Sequence, residues 1–233
     1  MKKEIALLFL SCFISAFAQD SLPISKIKLK SQIFSLSPIS KKVDVVNGLA
    51  FGVGHYDDKN IVGQTINGVN VEASPIGLAF PFLLFLSFDK RFDRDAFTDG
   101  VDDGTNIKIN GINISSGGFL TNAQMNGINI STLTQIRKMN GLSVCGFITV
   151  TNNTNGVSIA GFQNLNQKTN GLQIAISNFS DHLKGGQIGL YNNCAQSMTG
   201  VQIGLLNISN KTRGLQIGLL NINKKRALPF INF

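Results

Sequence analysis

Apolar and polar positions alternate with period two through the last third of the chain. In Gly214 to Asn221, Leu215, Ile217 and Leu219 alternate with Gln216, Gly218 and Leu220. Earlier segments follow the same rule: Ile128-Asn129-Ile130, Val157-Ser158-Ile159-Ala160 and Leu172-Gln173-Ile174-Ala175. Such alternation predicts strands with two unlike faces. One face carries Leu, Ile and Val. The other carries Gln, Asn or Ser, followed by Gly, Ala or Ser. Between these segments lie polar runs such as TNNTN, NLNQKTN and SNKTR. Their composition predicts turns, and an Asn-Gly pair at the entry to a strand predicts a tight one.

The unit repeats. Gly111, Gly127, Gly141, Gly156, Gly171, Gly185, Gly200 and Gly214 each open a copy, at spacings of 16, 14, 15, 15, 14, 15 and 14. A period this steady over eight copies is a repeat architecture, with one strand and one turn per unit. Residues 43–56 and 61–73 carry Asn47-Gly48 and Asn67-Gly68 and read as degenerate early copies. Residues 75–88 (PIGLAFPFLLFLSF) form the most apolar stretch after the leader, too short and too Pro-interrupted for a spanning helix.

Charge sharpens the fold expectation. Within 111–223 the charged residues are Arg137, Lys138, Lys168, Asp181, Lys184, Lys211 and Arg213, every one nine or more positions after its Gly and so in an expected turn. A soluble sandwich places Lys and Glu on its outer strand face. Two all-β architectures accommodate strands without them. The first is a repeat-built antiparallel, outer-membrane-type β-barrel, with Leu/Ile/Val toward lipid and Gln/Asn/Ser toward the lumen. The alternative is a β-solenoid, with Asn or Gln laddering between coils and Leu/Ile filling the inside. A coil of 14 to 15 residues is small for three large aliphatic side chains. The barrel is therefore the leading expectation. Either way the candidate lumen or ladder residues are Gln173, Gln187, Gln202 and Gln216, and Asn178, Asn192, Asn207 and Asn221, each of the latter seven residues after its Gly.

Residues 1–18 read as a secretory signal peptide. Lys2 and Lys3 are the charged start, Ile5 to Phe17 the apolar core, and Ala16-Phe17-Ala18 the cleavage site. Cys12 offers a lipoprotein alternative behind a poor box. Residues 19–42 form a mature N-terminal segment, and 43–233 a single repeat-built β domain with regular repeats over 106–223 and a C-terminal strand at 227–233. The ending Ala-Leu-Pro-Phe-Ile-Asn-Phe places Ile231 and Phe233 as in the assembly signal that outer-membrane barrels carry at their C-terminus. Pro229 departs from that pattern. Trp is absent and Tyr occurs only twice, so barrel girdles would fall to the 17 Phe.

The repeats also resemble an uncharacterised family of Gram-negative surface-repeat proteins. Its runs of Gly-Leu/Val-Gln-Ile-Gly-Leu-Leu/Val-Asn are matched by Gly185 to Asn192, Gly200 to Asn207 and Gly214 to Asn221, and its terminal segment by Leu228 to Asn232. The resemblance covers residues 106–233. It implies a place in the outer membrane or at the cell surface and brings no chemistry.

Little in the sequence suggests catalysis. His55 and His182 lack acid or Cys neighbours at metal spacing. Asp89, Asp93, Asp95, Asp99, Asp102 and Asp103 lack the order of a calcium loop. Cys145 and Cys194 read as substitutions within the repeat rather than a bridge. The net charge of +8 is scattered, which argues against nucleic acid. The expectation is an exported outer-membrane or surface protein, structural or a narrow pore, without cofactor or catalysis. Its expected partners are outer-membrane lipid and the barrel-assembly machinery. The alternative expectation is a soluble or surface-tethered solenoid that binds a partner or cell-surface polymer.

Overall fold

The computed structural model describes residues 29–54, 63–73 and 107–233. Its thirteen strands are β1 (Leu29–Ser37), β2 (Val43–Gly52), β3 (Gln64–Glu72), β4 (Ile107–Ser115), β5 (Phe119–Leu120), β6 (Ala123–Ser131), β7 (Thr134–Cys145), β8 (Ile148–Ala160), β9 (Gln163–Ile174), β10 (Ser177–Ile188), β11 (Tyr191–Ile203), β12 (Leu206–Asn223) and β13 (Ala227–Asn232). All pair in one sheet, in chain order, with β5 alone off the path. Every pairing from β1 to β12 is parallel, and like residues stack on like. Gly48, Gly68, Gly111, Gly127, Gly141, Gly156, Gly171, Gly185, Gly200 and Gly214 form one column of ten coils. This is a β-solenoid, and the antiparallel barrel is corrected. Parallel stacking superimposes identical side chains, and a primary amide both donates and accepts, so Asn on Asn or Gln on Gln satisfies itself.

One coil shows how the chain closes. Around Gly200, the inward residues are Met198, Gln202, Asn207 and Ser209, all essentially without solvent exposure. The alternation breaks in three places: Thr199 to Val201, Leu205–Leu206 and Asn210–Lys211, where consecutive residues face outward. Each break is a bend, so the coil has three short arms. At the first bend Gly200 has φ +139, and a Cβ there would lie 1.8 Å from the Gly185 carbonyl oxygen. Only glycine fits a column packed that closely in that conformation. At the second, Gly204 leaves room for the Asn192 and Asn207 amides. Its backbone stays paired, with the Gly204 N–H donating to the Ile217 carbonyl at 3.0 Å and the Leu205 N–H to the Leu190 carbonyl at 3.0 Å.

The polar runs read as turns are arms of the solenoid. Arg137 and Lys138 lie in β7, Lys168 in β9, Asp181 and Lys184 in β10, and Lys211 and Arg213 in β12. The Asn-Gly pairs lie inside strands too. Their residues are polar because only one position of that arm, Leu183 or Met198 for example, faces inward.

The interior changes along the rod. Toward the N-terminal end it is aliphatic, built from Val46, Ile66, Ile109, Met125 and Met139 in one column with Ile107, Ala123 and Phe119 beside it. There the residue two after the column glycine is short: Asn70, Asn113, Asn129 and then Ser143 and Ser158. Toward the C-terminal end that position becomes Gln, and the facing residues shrink to Ser180, Cys194 and Ser209. Volume is exchanged across a fixed, narrow cross-section, as close packing requires.

β13 turns back antiparallel on β12, setting Ile231 against Ile217 and Asn232 against Gln216. It covers the Gln216 to Ile222 stretch of the last parallel edge and so caps that side of the stack. Arg226 fastens this hairpin: its guanidinium lies 4.5 Å above the Phe233 ring, its Nε donates to Asn232 Oδ1 at 2.8 Å, and its Nη2 donates to the Phe233 carbonyl.

Candidate binding face and the amide ladders

All eight candidate lumen or ladder residues are fully buried in the described structure. The Gln residues form one ladder: Gln187 Nε2 donates to Gln173 Oε1 at 2.7 Å, Gln202 to Gln187 at 2.7 Å and Gln216 to Gln202 at 2.8 Å. Each Gln also reaches across the coil to a backbone carbonyl, as Gln202 does to Ile208 at 3.1 Å. The Asn residues form a second ladder running the other way, Asn178 to Asn192 at 2.9 Å, Asn192 to Asn207 at 2.8 Å and Asn207 to Asn221 at 2.8 Å. Asn164 extends it by one coil, donating to Asn178 at 2.9 Å. At the bend, Asn192 Nδ2 also bonds the Ile203 carbonyl at 2.9 Å. These side chains fill the interior and bond one another, so they line no channel.

The solenoid alternative expected Leu and Ile to fill the coil. Toward the N-terminal end Ile66, Ile107 and Ile109 do so, but in the Gly-x-Gln-Ile runs of the C-terminal coils Ile188, Ile203 and Ile217 stand outside and Gln and Asn fill the interior. In the C-terminal coils the amides also bond backbone carbonyls across the interior, as Asn192 does to Ile203 and Gln202 to Ile208, which aliphatic groups could not. A third ladder is built from the Asn before each of the first seven column Gly residues, where the Asn-Gly pair predicts a turn. Asn47, Asn67, Asn110, Asn126, Asn140, Asn155 and Asn170 stack on the outer surface, with donor–acceptor distances from 2.6 to 3.0 Å. Its signal was the recurrence of Asn at one register for seven coils.

The outer surface divides by arm. The arm after the column glycine presents only aliphatic side chains, with one Phe: Leu49 and Phe51, Ile112 and Ile114, Ile128 and Ile130, and so on to Leu215 and Ile217. Gly186 is the single gap. The neighbouring bend adds Phe147, Phe162, Ile176, Leu190, Leu205 and Leu219. Ile231 of β13 continues the Ile217 row, and a shallow groove between these rows is lined by Leu190, Ile203, Leu205, Ile217, Leu219 and Phe230 among others. On the other side of the glycine column lies a cationic arm. Lys108, Lys138, Lys168 and Lys211 share one register column, interleaved with Gln124, Asn153, His182 and Ser197. Lys184 and Arg213 stand in the Asn-ladder column, next to the bend.

The remaining candidates are dispersed. His182 is exposed and pairs through Nδ1 with Ser197 Oγ at 2.8 Å. Cys145 and Cys194 are buried and free. Burial pushes the Cys194 thiol up to about 11, against backbone hydrogen bonds that favour the thiolate. Among the described residues no three His, Cys, Asp or Glu come together as a metal site would need. His55, Cys12 and the acidic run Asp89 to Asp103 lie outside the described residues, as does the apolar stretch 75–88. Ile231 and Phe233 are 53% and 71% exposed on the cap.

No family model, no curated protein and no solved structure matches the chain.

Proposed function

We propose that the chain is a non-catalytic, exported β-solenoid, soluble or tethered at the cell surface, that binds along its repeat face. The observation that carries this reading is the aliphatic face, continuous over the ten coils except at Gly186 and free of charge. Isolated exposed apolar residues are ordinary, but a contiguous field of them marks an interaction surface. The leader pattern of residues 1–18 and the resemblance of 106–233 to surface-repeat proteins support export and placement at the envelope. The buried ladders support a rigid rod in preference to a conduit.

The test is rebinding. The purified processed chain is mixed with isolated, urea-washed cell envelopes and sedimented. It should come down with them, and replacing Ile128, Ile130 and Ile203 by Ser should release it while leaving its circular dichroism intact. A chain that never sediments, or whose sedimentation ignores those three residues, refutes a role for the face.

A further inference from the structure

We propose that the occupant of the aliphatic face is an anionic lipid surface, on which the solenoid lies flat. The inference rests on the face-binding reading above and names its partner. Ten coils spaced at about 4.8 Å make the face about 43 Å long, and five strand residues make it about 16 Å wide. The resulting area of about 700 Å² exceeds the largest apolar patch of ordinary monomers, about 300–600 Å². It is flat, charge-free and without side-chain hydrogen-bonding groups. A polysaccharide would find nothing there to bond to. Acyl chains would.

Charge selects among apolar partners. The described residues hold thirteen Lys and Arg against three acids, Asp44, Glu72 and Asp181. Of those acids Glu72 is buried inside the coil, where it accepts from Asn70. The cations are placed in relation to the face. Lys184 and Arg213 immediately precede Gly185 and Gly214, and so border the bend beyond which the aliphatic arm begins. Lys108, Lys138, Lys168 and Lys211 run parallel to them, two residues farther back. With the aliphatic rows in the boundary between headgroups and acyl chains, this arm rises through the headgroup layer. Its long side chains then reach lipid phosphates while their stems stay on the apolar side. Lys224, Lys225 and Arg226 add charge at the capped end, close to exposed Phe230 and Phe233. A second copy docked face to face with its rod antiparallel would bring two cationic arms to the same seam, each with Asp181 as its single acid from β4 to β12. An anionic bilayer supplies the counter-charge.

The experiment is vesicle flotation with two compositions, phosphatidylcholine alone and phosphatidylcholine with one-third phosphatidylglycerol. The chain should float with the anionic vesicles, and less so as salt is raised. Changing Lys184→Gln and Arg213→Gln together should weaken partitioning about thirty-fold, from the worth of two surface charges near an anionic leaflet. Both positions are exposed, so the pair folds as the parent does. The Ile128→Ser, Ile130→Ser, Ile203→Ser variant should stay at the bottom of the gradient. Equal flotation with both compositions, unaffected by salt, overturns the proposal. So does a dimer in sedimentation equilibrium that the same three substitutions dissociate while vesicles go unbound, since a second copy then holds the face. If vesicles fail but urea-washed envelopes still bind through the face, lipid is excluded and the face-binding reading survives. If both fail, that reading falls as well.

Discussion

Gln202 and Ile203 are adjacent in β11, and replacing each in turn by Lys separates inside from outside by one residue. Gln202 is fully buried and takes part in three side-chain hydrogen bonds: to Gln187 at 2.7 Å, to the Ile208 carbonyl at 3.1 Å, and from Gln216 at 2.8 Å. Lysine has no acceptor, so Gln216 Nε2 loses its Gln202 acceptor and keeps only the Ile222 carbonyl at 3.3 Å, and Gln187 Oε1 meets an ammonium group that lacks a counter-ion. The three lost bonds are worth about 1 kcal/mol each. An unpaired charge in a dry interior costs about 3–5 kcal/mol more. The expected loss of about 5 kcal/mol or more is comparable with the whole stability of a domain, about 5–15 kcal/mol. Ile203 is 42% exposed. Lysine there keeps its stem on the face and its ammonium in water, at a cost of about 0.5–1 kcal/mol. A barrel reverses the order, because Ile203 would face lipid, where Lys costs about 2–4 kcal/mol near the midplane, and Gln202 a wet lumen. The assay is urea unfolding in detergent-free buffer, followed by far-ultraviolet circular dichroism. Equal midpoints, or a Gln202→Lys chain more stable than Ile203→Lys, would refute the solenoid's polarity.

Two further substitutions probe the coil. Gly200→Ala puts a Cβ 1.8 Å from the Gly185 carbonyl oxygen at φ +139, so the chain should lose about 3 kcal/mol or more in the same urea titration. Cys194 tests burial by pH. Because its folded value is raised to about 11 from an ordinary 9.0, the unfolded chain ionises first, and stability should be unaffected below pH 9 and fall between about pH 9 and pH 11. Cys194→Ser should remove that decline, and alkylation of the native thiol at pH 8 should be slow until urea opens the coil.

Much of this fold was legible in the residues, and the illegible part has a physical cause. The glycine period fixed the unit, and the recurrence of Asn seven residues after Gly pointed to a ladder that the hydrogen bonds from Asn178 to Asn221 display. Period-two alternation shows that the faces of GVQIGLLN differ. It does not say which face is enclosed, since Gln202 satisfies carbonyls inside a narrow coil as readily as it would face a lumen. Lys211 and Arg213 looked like turn residues because two of every three neighbours in that arm meet water. Yet Thr212 between them turns its hydroxyl inward, and the arm is a strand. Strand direction was hidden for a simpler reason. Parallel and antiparallel stacks share a period, and only the side-chain ladders, which need like beside like, decide between them. Of the candidate site, the Gln and Asn positions are expected as lumen or ladder residues, and the hydrogen bonds show them as ladders. The aliphatic face was found as a lipid-facing wall of the wrong architecture, and the cationic arm beside it was dispersed into turns.

The repeats stack as a rod, each coil advancing by one strand spacing. Spin labels test it directly, on a chain whose Cys145 and Cys194 have been changed to Ser. Lys108→Cys and Lys211→Cys occupy one register column, seven coils apart. Seven steps of about 4.8 Å separate their backbones by about 34 Å, and Lys138→Cys with Lys211→Cys, five steps apart, by about 24 Å. Pulsed electron–electron distances that grow in that proportion are the predicted result. Distances that fail to grow with coil number, as they would around a closed barrel, would contradict it.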